Sequence, residues 1–169
     1  MSMSFFAVCT PGLEMLTAHE LQMAGILKPD PQGVGAKMNS MDKGGVAFEG
    51  SLAELYLANL ILRTANRILL RVADFRTIGF SELRKKAARI PWEQYLKKGQ
   101  AINLRVSCHK SRLYHSAAVA ERVAGAIGDR LGVEPPVVAA KEEDEEQHNV
   151  QLILVRLLHD QCTISIDSS

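Results

Sequence analysis

The sequence predicts an α+β protein that consists of two α/β modules. Within residues 1–76, the hydrophobic pattern alternates between the periods of strands and helices in the order β-α-β-β-α-β. Residues 77–169 begin with two helical segments, after which a strand, a long helix and two further strands follow. Because no Gly/Ser-rich linker separates the two stretches, we expect the second module to pack on the first.

The first strand and the first helix follow from the start of the chain. Residues 4–9, Ser-Phe-Phe-Ala-Val-Cys, are an apolar run that predicts a buried strand. Thr10 and Pro11 predict the start of a helix, with Thr10 as the N-cap and Pro11 at the first helical position. Gly25 would end it. The predicted buried face consists of apolar residues at helical spacing, namely Leu13, Leu16, Leu21 and Ala24.

Turn and capping signals predict the rest of the first module. Asp-Lys-Gly-Gly at 42–45 indicates a turn between two short strands. Ser51 and Glu54 have the spacing of a capping box, which predicts a helix that continues to about residue 62. The remaining predicted strands are 34–38, 46–48 and 68–75. This order of elements is typical of the ferredoxin-like split βαβ motif.

The second module is predicted to contain three helices and three strands. Its predicted helices are 81–90, 91–96 and 114–131, and its predicted strands are 101–108, 151–158 and 162–166. Gly132 is expected to end the long helix, and residues 141–149 form a strongly charged loop. Trp92 is predicted to pack in the core at the start of the second helix, with base stacking as the alternative role.

The charge is distributed unevenly along the chain. The formal net charge is +1, but residues 1–62 carry −3, residues 63–112 carry +10 and residues 113–169 carry −6. A basic segment of this size in a nearly neutral protein indicates that one surface binds a polyanion. The alternative is that the cations only solvate the ends of their elements.

Several classes of function are excluded or disfavoured by the sequence. No pair of His or Cys residues has the spacing of a metal site, and no glycine-rich loop leads from a strand into a helix. Cys9, Cys108 and Cys162 lie in apolar runs, which is typical of reduced buried thiols in a cytoplasmic protein. No apolar run is long enough to span a bilayer, so no membrane is expected as a partner. The chain is therefore predicted to hold no catalytic, cofactor-binding or metal-binding residues.

Two groups of residues are the predicted nucleic-acid contacts. The loop between the strand at 101–108 and the long helix offers cations, hydroxyls and flat rings, which together suit phosphates and unpaired bases. These loop residues are Lys110, Ser111, Arg112, Tyr114 and His115. The helix at 81–90 adds the cations Arg84, Lys85, Lys86 and Arg89. The alternatives are a well-capped polar loop and, for Tyr114, a place in the core at the start of the helix.

The chain resembles THUMP-containing class I methyltransferases, bacterial enzymes that methylate the exocyclic amino group of a guanine in large-subunit ribosomal RNA. The resemblance covers essentially the whole chain. It rests on LANLILRTANRILLR at 57–71, FSELRKKA at 80–87, IPWE at 90–93, HKSRLYHS at 109–116 and the closing ISIDSS. It implies a ferredoxin-like N-terminal domain at 1–76 and a THUMP RNA-binding domain at 77–169.

The catalytic part of that family is absent from this sequence. Such enzymes carry a Rossmann-like domain with a Gly-rich S-adenosylmethionine loop and an Asn/Asp-Pro-Pro-aromatic motif, and neither is present here. The resemblance therefore implies the RNA-recognition half of a methyltransferase that is inert alone. Its partners would be RNA, large-subunit rRNA above all, and a catalytic domain in cis that binds S-adenosylmethionine.

Two other functions remain open at this point. THUMP domains also occur in tRNA-modifying enzymes, so the parent protein could be one of these. The basic segment could instead bind an acidic protein, which would make the chain a non-catalytic interaction module.

Overall fold

A computed structural model describes residues 2–28, 41–139 and 149–169. The chain divides into two compact units, one of residues 1–71 and 167–169 and the other of residues 72–166. The predicted strand at 34–38 lies outside the described residues, and so does nearly all of the predicted charged loop at 141–149. The domain boundary between residues 76 and 77 stays a prediction.

The first unit is a sheet with two helices. Its strands are β1 Met3–Cys9, β2 Met41–Asp42, β3 Gly45–Gly50 and the first part of β4 Ala65–Arg76, and its helices are α1 Glu14–Met23 and α2 Leu52–Ile61. The strand order is β2-β3-β1-β4, and β1 pairs antiparallel with both neighbours. Buried side chains of the strands and of both helices form one core, including Phe5, Leu21, Val46, Leu55 and Ile68.

The start of α1 differs from the prediction. Thr10 is not the N-cap, because its carbonyl accepts the Leu13 N–H (3.0 Å) in a turn where Gly12 has φ +101°. The helix begins at Glu14, whose carboxylate accepts the N–H groups of Gly44 (2.8 Å) and Gly12 (2.7 Å). These hydrogen bonds lower the pKa of Glu14. The turn satisfies the backbone groups that a threonine cap would have satisfied.

The predicted buried face of α1 is wrong at one position. The later start of α1 buries Thr17, Ala18 and Leu21, whereas Leu16 is exposed. The capping box is confirmed, since Ser51 accepts the Ala53 N–H and Glu54 accepts the Ser51 N–H.

The second unit places the short helix α3 and the long helix α4 beside a four-stranded sheet. Its elements are the last part of β4, α3 Phe80–Ala87, a 3₁₀ helix Trp92–Gln94, β5 Ile102–His109, α4 Ser116–Leu131, β6 Gln151–Leu158 and β7 Gln161–Asp167, whose final residue belongs to the first unit. The strand order is β4-β7-β6-β5, with β5 and β6 parallel and β6 and β7 antiparallel. The last two predicted strands, 151–158 and 162–166, thus pair with each other.

The core of the second unit is built around α3, α4 and the inner face of the sheet. Trp92 is completely buried, and its indole N–H donates to the Ala87 carbonyl (2.9 Å), so its predicted role in packing is confirmed. Gly132 ends α4 with φ +78°, as predicted. Cys9 and Cys162 are buried and Cys108 is partly buried, and all three are free thiols. Burial raises the pKa of the Cys162 thiol to about 12.

Candidate nucleic-acid interface

The segment that follows β5 and the turn that follows β6 lie at the same edge of the second unit. β5 and β6 run parallel, and His109 at the end of β5 is in register with Leu158 at the end of β6. The carboxyl ends of parallel neighbours meet at one edge of a sheet. Residues 110–115, which we call the basic loop, therefore leave the sheet beside His159 and Asp160, which connect β6 to β7.

The connection between β6 and β7 is a two-residue turn with a left-handed backbone. His159 has φ +49° and Asp160 has φ +63°, the signs of a type I′ hairpin. Lys110 in the basic loop has φ +47°. Among the described residues these are the only non-glycine residues with positive φ.

Hydrogen bonds join the basic loop to this turn. The His109 carbonyl accepts the His159 N–H (3.2 Å) and the Ser111 hydroxyl (3.1 Å). The Ser111 Oγ in turn accepts the Asp160 N–H (3.0 Å), and the Asp160 Oδ1 accepts the Arg112 N–H (2.7 Å). The hydroxyl proton of Ser111 is thus engaged within the loop, so this residue orders the loop rather than reaching outward.

Four other side chains of the basic loop point to solvent. Lys110, Arg112, Tyr114 and His115 are all exposed, and Tyr114 keeps 69% of its accessible surface. The alternative that Tyr114 is a core residue is therefore wrong. Its ring centroid lies 4.2 Å from that of His115. Two cations and two flat rings share one short stretch of surface, which suits phosphates and unpaired bases.

The helix α4 begins two residues later than predicted. Leu113 is buried and the Arg112 backbone is bound to Asp160, so the chain is held in the loop conformation before the helix starts at Ser116. His115 is the N-cap, its side chain makes no capping hydrogen bond, and the first turn holds no acidic residue. The positive end of the α4 dipole therefore adds to the charge of the basic loop.

The helix predicted at 81–90 ends at Ala87, so Arg89 follows α3 instead of lying on it. The four predicted cations of this segment fall into two pairs. Arg84 binds both carboxylate oxygens of Asp129 on α4, at 2.7 and 2.9 Å, and its guanidinium lies over Gly125. A Cβ at Gly125 would stand 2.9 Å from that guanidinium, so the glycine is what allows the close approach. The ion pair raises the pKa of Arg84 and lowers that of Asp129.

Lys86 is also bound within the second unit. Its Nζ donates to the Arg76 carbonyl (2.6 Å) and pairs with the Glu82 carboxylate (2.7 Å), which lowers the pKa of Glu82. Lys85 on α3 and Arg89 in the turn that follows it are exposed and make no hydrogen bond or ion pair with the described residues. Of the four predicted cations of this segment, only these two present unpaired charge on the described surface.

The sequence pattern predicts the basic loop as a site but does not include the turn at His159 and Asp160 that holds it. His159 and Asp160 stand between two predicted strands, which is the signal of a hairpin turn. Their contact with the loop depends on the parallel pairing of β5 and β6, which alternating hydrophobicity does not reveal.

Other kinds of site are not formed by the described part of the chain. Within residues 2–28, 41–139 and 149–169, no three His, Cys, Asp or Glu side chains are grouped as metal ligands. In the same ranges, no helix has the length and apolar character that crossing a membrane requires.

Comparison with known proteins identifies both parts of the chain. Residues 4–69 match the RlmL ferredoxin-like domain, and residues 79–167 match the THUMP domain. These matches confirm the predicted α+β class with its two domain types.

Three similar proteins place these domains in longer chains. A ribosomal RNA large subunit methyltransferase K/L from Syntrophotalea carbinolica is 29% identical over 98% of this chain and 21% of its own length. The crystal structure of a predicted N6-adenine-specific DNA methylase from Listeria monocytogenes is 27% identical, with a TM-score of 0.78 over 99% of this chain and 40% of that one. The structure of SMU.472 in complex with SAH shares the fold, at 24% identity and a TM-score of 0.77 over 98% of this chain and 41% of that one.

The chain thus spans between about a fifth and two fifths of the length of the relatives described above. The THUMP match alone covers more than half of the 169 residues. This chain belongs to the THUMP domain family, and an RlmL ferredoxin-like domain precedes its THUMP domain.

Proposed function

We propose that this chain is the RNA-binding part of a cytoplasmic methyltransferase that uses S-adenosylmethionine to modify the exocyclic amino group of a guanine in large-subunit rRNA. The basic loop carries the proposal. It presents Lys110 and Arg112 together with Tyr114 and His115 at the start of an uncapped helix. Charges that bind phosphate and rings that stack on bases are the two requirements of single-stranded RNA binding.

The choice of substrate rests on the relatives. One of them is named as a large-subunit rRNA methyltransferase, and the chain matches it over nearly its full length. The Listeria relative is named as a DNA methylase, so DNA is the competing ligand and belongs in the test. Guanine and its amino group come from the family resemblance.

In the described part of the second unit, the strand-to-helix junctions do not fit S-adenosylmethionine. Two strand-to-helix junctions occur in the second unit, one before α3 and one before α4. The first holds a single glycine, Gly79, and the second holds none. A cofactor phosphate or carboxylate is usually cradled by a glycine-rich loop at such a junction. We propose that a catalytic domain in the same polypeptide supplies that site. We also propose that the boundary between the two domains of this chain lies between residues 76 and 77.

A salt titration tests this function. Fluorescence anisotropy with a single-stranded rRNA fragment should show log K falling against log salt with a slope of about −3 to −5, as expected for ~4–6 phosphate contacts. A tRNA and a DNA duplex of the same length are the competing ligands. Affinity without salt dependence, or equal affinity for the DNA duplex, would contradict RNA binding by this surface.

A pair of double variants locates the interface. Lys110→Ala with Arg112→Ala should reduce the magnitude of the salt slope by about 2, since each cation neutralises one phosphate. Lys97→Ala with Lys98→Ala is the matched control, because Lys98 lies near Gly132 at the opposite end of α4. Sixteen helical residues separate these two ends by ~24 Å. An equal loss in both double variants would mean that the attraction is diffuse and has no site at the basic loop.

A further inference from the structure

We propose that Asp160, in the turn between β6 and β7, is a positioning residue that holds the basic loop in its RNA-binding conformation. This inference rests on the proposed function and extends it to a residue outside the loop. Asp160 carries a negative charge and would repel a phosphate, so its contribution to RNA binding has to act through the residues it holds.

Asp160 contacts the basic loop twice. Its side-chain Oδ1 accepts the Arg112 N–H at 2.7 Å, and its backbone N–H donates to the Ser111 Oγ at 3.0 Å. Its carbonyl accepts the Thr77 N–H at 2.9 Å, close to the start of α3. One residue of the turn thus joins the end of β4, the basic loop and the β6–β7 hairpin.

The backbone conformations at this edge need such support. Lys110, His159 and Asp160 all have left-handed φ values, where L-residues other than glycine are uncommon. Residues other than glycine keep such φ values where surrounding contacts impose them, and these positions concentrate at functional sites. The hydrogen bond from the Arg112 N–H to the Asp160 carboxylate joins the turn to the backbone that follows Lys110.

An ordered loop binds RNA at a smaller entropic cost. Each side chain or loop segment that becomes immobile on binding lowers the affinity, and a conformation that is already fixed avoids that loss. Lys110 and Arg112 are exposed and have long flexible side chains, so the ordered part is the backbone from which they extend. The Asp160 carboxylate fixes this backbone at Arg112, because it accepts the Arg112 N–H.

Two substitutions at Asp160 separate its hydrogen bond from its charge. Asp160→Asn removes the negative charge but keeps an oxygen that accepts the Arg112 N–H, and Asn tolerates the left-handed φ. Asp160→Gly removes the charge and the acceptor, while its backbone bonds to Ser111 and Thr77 remain available. His159→Gly is the matched control for flexibility in the turn.

The proposal predicts opposite results for variants with the same net charge. Asp160→Gly should weaken affinity for the single-stranded rRNA fragment about three- to tenfold. Asp160→Asn and His159→Gly should stay within about twofold of the unchanged protein or, for Asn, bind slightly more tightly. Hydrogen exchange followed by NMR should show a faster Arg112 amide in Asp160→Gly alone, with the melting temperature of all variants similar.

Each other outcome overturns the inference. If Asp160→Gly binds RNA as tightly as Asp160→Asn, the carboxylate does not position the loop. If His159→Gly weakens binding as much as Asp160→Gly, turn flexibility is the cause. The Lys110/Arg112 double variant keeps the two proposals distinct, because its full affinity would contradict the proposed function itself.

Discussion

The basic loop and α3 are similar in charge but differ in what their charges contact. Two of the three cations of α3, Arg84 and Lys86, are bound to carboxylates of the second unit. In the basic loop, the side chains of Lys110 and Arg112 are exposed, and the Arg112 backbone and the Ser111 hydroxyl make the hydrogen bonds to the turn. The comparison teaches that a cation contributes to an RNA surface only if the fold leaves its charge unpaired.

The difference follows from secondary structure. A helix that packs on another helix brings its flanking side chains within reach of the neighbour, as Arg84 reaches Asp129 across Gly125. A loop at the edge of a sheet satisfies its backbone groups through nearby turns and leaves long side chains free. The α3 region is thus predicted to respond to substitution mainly in stability, and the basic loop mainly in RNA affinity.

The largest effect is expected for Trp92→Ala, which tests whether the α3 region is structural. Trp92 is completely buried, and its indole N–H donates to the carbonyl of Ala87, the last residue of α3. Its loss should therefore lower the free energy of unfolding by ~3–5 kcal/mol. Denaturant unfolding measures this change. Trp92→Phe should cost less because it keeps an aromatic ring in the core. A normal unfolding midpoint with lost RNA affinity would instead support base stacking by Trp92.

Tyr114→Ala should have the next largest effect, and on affinity alone. Because the Tyr114 ring is exposed, its removal should leave the melting temperature unchanged and weaken binding of unpaired RNA by ~1–3 kcal/mol, with little change in salt slope. Tyr114→Phe is the control, since stacking uses the ring and not the hydroxyl. Loss of affinity in both variants would assign the contact to the hydroxyl group.

The paired and unpaired cations of residues 84–89 can then be compared directly. Lys85→Ala with Arg89→Ala should weaken RNA binding modestly and reduce the salt slope by up to about 2, with unchanged stability. Arg84→Ala should lower the unfolding midpoint slightly and leave RNA affinity unchanged, because its charge is already paired with Asp129. A reversed pattern, with Arg84 the more important for RNA, would contradict the division of these residues into bound and free cations.

The smallest effect is expected for the pH dependence of stability that comes from the ion pair between Arg130 on α4 and Glu93. The Arg130 guanidinium donates to Glu93 at 2.5 and 2.9 Å and lowers the pKa of Glu93 to about 2. A lowered folded-state pKa stabilises the protein above the unfolded value near 4.5, and this stabilisation is lost as pH falls toward 2. The stability difference between the unchanged protein and Glu93→Gln should therefore narrow below about pH 4.5. A difference that is constant with pH would mean that the ion pair does not stabilise the fold.

Local signals in the sequence were sufficient for much of the fold. The capping box at Ser51 and Glu54, the glycine at the end of α4 and the buried Trp92 were each predicted from a few neighbouring residues. Such features depend on hydrogen bonds or burial within one element, so their sequence pattern is local as well. The basic loop was also identified in this way, as a polar stretch between a strand and a helix.

The starts of α1 and α4 were not predictable in this way. Thr10 and Pro11 have the residue types of a helix start, but the N–H of Gly44, in the turn between β2 and β3, donates to Glu14, and α1 starts at Glu14. In the same manner, Asp160 binds Arg112 and delays α4 to Ser116. Both contacts join residues that are distant in sequence, and no local propensity reports on them.

The sequence by itself determined which residues of this protein are candidates for RNA binding: the cations, the rings and their order along the chain. Only the tertiary structure decided which of them are free to bind. It paired Arg84 with Asp129 and Lys86 with Glu82, and it left Lys110, Arg112 and Tyr114 exposed beside the turn at Asp160. The physical reason is that a charge or a ring acts on a partner only where neighbouring groups have not already satisfied or buried it, and those neighbours come from distant parts of the chain.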